Sequence, residues 1–118
     1  MATPEGKVKD AVKKRLHAHG VYPFMKVVDM DPASVRGIYW MPVQGPFAVQ
    51  GVHDFVGVWG GVPFSIETKA PNNPQDATEN QQSFQYALSL AGGVSLIGVR
   101  SADAVDELSK RIQEMDRL

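Results

Sequence analysis

Asp54 is followed, after twelve intervening residues, by the run Glu67-Thr68-Lys69. Two carboxylates held side by side repel each other unless a cation lies between them, and oxygen ligands of this type suit Mg²⁺ or Mn²⁺. The Thr68 carbonyl offers a further oxygen. A lysine such as Lys69 beside the metal orients or deprotonates an attacking water, while the metal lowers that water's pKa. The same three side chains also read as solvated acids in a surface salt bridge with Lys69, and spacing alone does not separate the two.

The remaining chemistry-bearing residues narrow the field. With no cysteine in the chain, a thiolate nucleophile, a disulfide framework and Cys-ligated zinc or iron–sulfur sites are excluded. His17 and His19 stand two apart on one helical run and point to different faces, so they do not chelate together. His53 alternates away from Asp54 and is expected to pack or hydrogen-bond. The sequence contains no H-E-x-x-H, no P-loop and no G-x-G-x-x-G, so it supports neither a histidine-bound zinc nor a nucleotide cofactor.

Elements must bring Asp54 and Glu67 together. The runs Val52–Trp59 and Val62–Lys69 flank Gly60-Gly61, a dipeptide suited to a two-residue hairpin turn. Counting outward pairs Trp59 with Val62, Gly57 with Phe64, Phe55 with Ile66 and Asp54 with Glu67. Lys69 projects from the face of the two acids, and the opposite face, with Phe55, Trp59, Val62, Phe64, Ile66 and the Thr68 methyl, is apolar. Upstream, Thr3-Pro4 opens a helix running to Gly20. Its buried stripe is Val8, Ala11, Val12 and Leu16, shared by Glu5. Lys7, Lys9, Lys13, Lys14 and Arg15 form a basic outer face, either merely solvated or a track for phosphates. Strands are expected around Phe24–Val28 and Ile38–Met41. A second helix opens at Thr78 and closes at Gly92-Gly93, Val94–Arg100 is a buried strand, and a last helix follows Ser101 with Val105, Leu108, Ile112 and Met115 inward. Thr78-x-x-Gln81 reads as a capping box, which offers Gln81 a purely local role.

At 118 residues, 43% hydrophobic and 21% charged, the chain is expected to form one α/β domain over residues 1–118. No apolar run approaches a membrane span and the start carries no signal-peptide core, so a soluble, cytoplasmic protein is expected. The formal net charge is -1, yet committing three of the thirteen acids to a metal leaves ten against twelve bases, a balance that permits an anionic substrate.

In order along the chain stand Glu5 in the first helix, Gly51-Val52-His53-Asp54, Glu67-Thr68-Lys69, Thr78-Glu79-Asn80-Gln81, and Ala91-Gly92-Gly93-Val94. This series resembles the virus-type replication-repair nuclease (VRR-Nuc) family of the PD-(D/E)xK superfamily, with His53 in place of the proline that gives the superfamily its name. The resemblance implies a restriction-endonuclease-like core, a mixed β-sheet flanked by helices in the order α-β-β-β-α-β-α. It implies that Asp54, Glu67 and the Thr68 carbonyl bind Mg²⁺, for which Mn²⁺ substitutes, that Lys69 is the catalytic lysine, and that Glu5 is an acid at or behind the metal. Gln81 would face the site, or else the role falls on Gln82 or Gln85. The activity implied is hydrolysis of DNA phosphodiesters to 5′-phosphate and 3′-hydroxyl ends, as in stand-alone phage-type enzymes that resolve four-way (Holliday) junctions as homodimers. A flap or single-strand-end repair nuclease, a non-catalytic DNA-binding subunit and an RNA endonuclease are the alternatives. For a dimer, Ile38, Tyr39, Trp40, Met41 and Phe47 are the candidate contact residues.

Overall fold

The computed structural model describes residues 2–115. The Thr3 hydroxyl accepts from the Gly6 N–H and Pro4 fills the first turn, so α1 (Pro4–Ala18) starts where the cap residues dictate. Val8, Val12 and Leu16 form its buried stripe, and Gly20, at φ 82, turns the chain into β1 (Val21–Pro23). Pro23 ends that strand, because it has no N–H to extend a ladder. The following residues form a one-turn helix, α2 (Phe24–Val27), rather than the strand expected over Phe24–Val28. Phe24, Met25 and Lys26 are consecutive and all exposed, whereas a half-buried strand would alternate. A 3-10 turn at Pro32–Ser34 leads to β2 (Gly37–Trp40).

The hairpin of β3 (Phe55–Trp59) and β4 (Val62–Thr68) turns on Gly60 and Gly61, both at positive φ. Its register is the expected one, from Trp59↔Val62 through Gly57↔Phe64 to Phe55↔Ile66. Thr78 caps α3 (Glu79–Leu90), which ends in a Schellman motif. There the Gly92 N–H donates to Ser89 O and the Gly93 N–H to Leu88 O, with Gly92 at φ 91. β5 (Val94–Val99) and α4 (Asp103–Met115) complete the chain.

The result is an α/β fold with one five-stranded sheet in the order β1-β2-β3-β4-β5. The β1–β2 and β4–β5 pairs are parallel and the two central pairs antiparallel, so the sheet is mixed. Residues from α1 (Val8, Val12, Leu16) and α4 (Val105, Leu108, Ile112) form one core cluster with the face carrying Phe55, Trp59, Phe64 and Ile66, while α3 contacts β4 and β5. The expected order of main elements holds, with β1, α2 and the 3-10 turn inserted after α1. No helix among the described residues is long and apolar enough to cross a membrane.

Gly57, at the centre of the sheet, admits no side chain. A Cβ there would overlap the Ile38 carbonyl oxygen of β2 and lie 2.8 Å from the Phe64 ring. Gly57→Ala is expected to lower unfolding stability by about 1–3 kcal/mol, the usual cost of overpacking, as read from the urea midpoint. An unchanged midpoint would contradict the close approach of β2 to β3.

Candidate active site

The hairpin register, carried one residue past its last rung, sets Asp54 opposite Glu67, and the Asp54 N–H donates to Glu67 Oε1 at 3.2 Å. The two carboxylates then diverge. Asp54 Oδ2 accepts from the Thr68 N–H at 2.9 Å and from the Thr68 hydroxyl at 2.6 Å. Glu67 Oε2 turns toward α3, accepting from Gln81 Nε2 at 2.8 Å with Lys69 Nζ 3.3 Å away. Lys69 Nζ in turn donates to Gln81 Oε1 at 3.2 Å. Asp54, Glu67 and Lys69 are all buried, at 9%, 3% and 8% exposure, so they do not form the solvated surface salt bridge that the spacing also allowed.

Gln81 serves as both cap and site residue. Its N–H donates to the Thr78 hydroxyl and its Oε1 accepts from the Thr78 N–H at 2.8 Å, closing the capping box, while the same amide spans Glu67 and Lys69. These neighbours fix the amide's orientation, because a flip would set NH₂ against two donors and oxygen against a carboxylate. Gln82 and Gln85 do not take this role: their amides donate to Ala77 O and Ser95 O. The neighbour before Asp54 holds the cap in place. His53 is fully buried and hydrogen-bonds through Nε2 to Gln81 O at 2.8 Å. A carbonyl only accepts, so Nε2 carries the proton and Nδ1 accepts from Ser65 Oγ at 2.9 Å. Ser65 is bonded to Ser95 on β5, which ties α3's first turn to two strands. Burial lowers the His53 pKa and keeps the ring neutral.

Lys9 belongs to this cluster. The sequence reading set it on the outer face of α1, but its Nζ lies 3.5 Å from Asp54 Oδ1 and its side chain is largely shielded. The helical wheel carried the signal, since Lys9 stands at i with Val12 at i+3 and Leu16 at i+7. Of the other bases on that face, Arg15 pairs with Asp103 and Asp106 of α4, and Lys13 pairs with Asp10. Lys7 and Lys14 remain exposed. Glu5 is half-buried on α1, and among the described residues no group of three or more His, Asp or Glu side chains is arranged to hold a metal ion. His17 and His19 diverge as expected, to the Tyr39 hydroxyl and to Asp106.

The donor set of two carboxylates and a strand-end carbonyl has the hard oxygen chemistry of a Mg²⁺ or Mn²⁺ site. Three of the four carboxylate oxygens accept hydrogen bonds from the protein, and the fourth, Asp54 Oδ1, faces only the Lys9 ammonium. A cation would reach Oδ1 only in place of Lys9, and Glu67 only in place of Lys69 or Gln81. Searches of protein-family models, curated proteins and solved structures return no match to this chain.

Burial, and next the Asp54 charge, push the Glu67 carboxyl up to about 7, against the lowering influence of Lys69. A pKa raised by folding contributes stability that is complete below the ordinary carboxylate range and lost as pH rises through 7. Folding lowers the pKa of His17 and of the buried His53, which imposes the opposite slope, so a difference measurement isolates Glu67. In EDTA, Glu67→Gln is expected to be more stable than wild type at pH 8, by a margin on the order of 3 kcal/mol, and to lose most of that advantage by pH 5. Parallel stability curves for the two proteins would contradict the buried, coupled carboxylate.

Proposed function

We propose that this chain is a metal-dependent, structure-specific DNA endonuclease with a PD-(D/E)xK core of the VRR-Nuc type, acting on branched DNA. The observation that supports the reading most is the Gln81 amide bridging Glu67 and Lys69 beside Asp54. Four residues separated by up to 27 positions, each matching a motif position, meet in one hydrogen-bonded cluster.

Asp54, Glu67 and the Thr68 carbonyl would hold the cation. When bound, Mg²⁺ supplies Lewis-acid activation of water and neutralises charge on the phosphate. Lys69, held beside Glu67 by Gln81, aligns the attacking water or donates to a phosphate oxygen as negative charge accumulates there. The water oxygen bonds to phosphorus, the bond to the 3′ oxygen breaks, and that oxygen takes up a proton. Gln81 fixes the Lys69 ammonium and the Glu67 carboxylate relative to each other, and His53 fixes Gln81 through its carbonyl.

A second reading has its own support. Lys9 and Lys69 already balance the two acids, so the quartet also describes a closed ionic cluster in a non-catalytic DNA-binding subunit. Labelled duplex, flap, splayed-arm and four-way-junction DNA, incubated with Mg²⁺, Mn²⁺, Ca²⁺ or EDTA, separates the two. We expect cutting with Mg²⁺ or Mn²⁺, binding without appreciable cutting with Ca²⁺, and nothing cleaved in EDTA. Asp54→Ala and Glu67→Ala should abolish cutting, and Lys69→Ala should lower turnover by about 10²-fold or more with a smaller loss of binding. Binding without cleavage under every condition would favour the non-catalytic reading.

Paired nicking of a junction calls for two symmetric sites, and a homodimer supplies them. Tyr39 is at 3% exposure in the monomer's own core and is not available as a contact, and Ile38 is half-buried, whereas Trp40 at 43%, Met41 and Phe47 are exposed. Light scattering is expected to give about twice 12.9 kDa, with Trp40→Glu shifting the protein toward monomer and abolishing paired nicking. A wild-type monomer that cuts only flaps or single-strand ends would move the function to a repair nuclease.

A further inference from the structure

Asp54 Oδ1 is the carboxylate oxygen of the site that lacks a hydrogen bond, and what faces it is a lysine from a different element. A local alternative exists, because Glu5 stands at i−4 from Lys9, the order and spacing at which Glu and Lys pair on a helix. The recorded ion pair is nonetheless the cross-element one to Asp54. At that position the Lys9 charge does for Asp54 what a cation would do.

Resting on the metal-site reading above, we propose that Lys9 is the resident counter-ion of Asp54, that a divalent cation takes its place at Oδ1, and that the displaced ammonium engages a substrate phosphate. Lys9 would then weaken cation binding to the free protein and strengthen DNA binding to the loaded one. Because coupling between ligands is reciprocal, a phosphate that draws Lys9 away from Asp54 raises cation affinity by the same factor. The site therefore loads at a lower cation concentration when a polyanion is present.

The test is calorimetric titration of Mn²⁺ into the intact protein, with junction binding in Ca²⁺ measured by fluorescence anisotropy at fixed salt. Lys9→Met and Lys9→Gln should each bind Mn²⁺ about tenfold more tightly than wild type, the scale of one partly shielded ion pair. They should also bind the junction several-fold more weakly. Lys9→Arg should restore both values, and Lys13→Met, which removes a charge one turn away that pairs with Asp10, should change Mn²⁺ affinity less than twofold. A structural role for Lys9 predicts no such opposed movement. Mn²⁺ affinity unchanged in Lys9→Met and Lys9→Gln, or raised equally in Lys13→Met, would overturn the counter-ion role alone. Failure of wild type and all variants to bind Mn²⁺ would overturn the metal-site reading and this inference with it.

Discussion

A glutamate buried to 3% exposure with an aspartate beside it is the most demanding arrangement in this molecule, and the surrounding structure answers it from three directions. Removing a charge from water costs several kcal/mol unless hydrogen bonds and an opposite charge replace the solvent. The strand neighbours respond through Thr68, whose N–H and hydroxyl both serve Asp54, and through Lys69. Helix α3 adds Gln81, and α1 adds Lys9. No buried side-chain polar atom among the described residues is left without a partner. The Glu67 carboxyl nevertheless stays near 7, so the compensation is incomplete and the group titrates near neutral pH.

Positioning of the cluster depends on the β3–β4 register. A slip of one residue would send Glu67 and Lys69 to the face held by Phe64 and Ile66, and those apolar side chains to the other. Gly60-Gly61 fixes that register locally, and the alternation of large apolar residues with small or polar ones fixes it globally. The capping box adds a second constraint. Gln81 closes the N-terminus of α3 with the same amide that reaches Glu67, so the first turn of α3 positions the site residue.

The parts of this arrangement legible in the sequence are those set by short-range rules. The hairpin register followed from a two-glycine turn and period-2 alternation, and the ends of α3 followed from Thr78-x-x-Gln81 and Gly92-Gly93. The misreadings have non-local causes. Phe24–Val28 looked like a strand by composition, but Pro23 stops the ladder and α2 packs against β1 and β2 instead. Helical face alone places Lys9 and Arg15 outward, and a helical wheel does not report how far a long basic side chain reaches or what the next element brings opposite. Tyr39 was grouped with Trp40 and Met41 as a cluster, although alternation along β2 turns Tyr39 into the core and Trp40 outward. Gln81 leaves two placements open in sequence, because its amide both closes the capping box and contacts Glu67 and Lys69.

The central claim is that the Asp54–Glu67 pair is a divalent-cation site held ready by lysines. Its most direct test is a crystal structure grown with Mn²⁺, with diffraction recorded to give an anomalous difference map. The account predicts a peak at bonding distance from Asp54 Oδ1 and a Glu67 oxygen, with the Lys9 ammonium moved off Asp54. A map with no peak there, and Lys9 still seated on Asp54 at millimolar Mn²⁺, would contradict it.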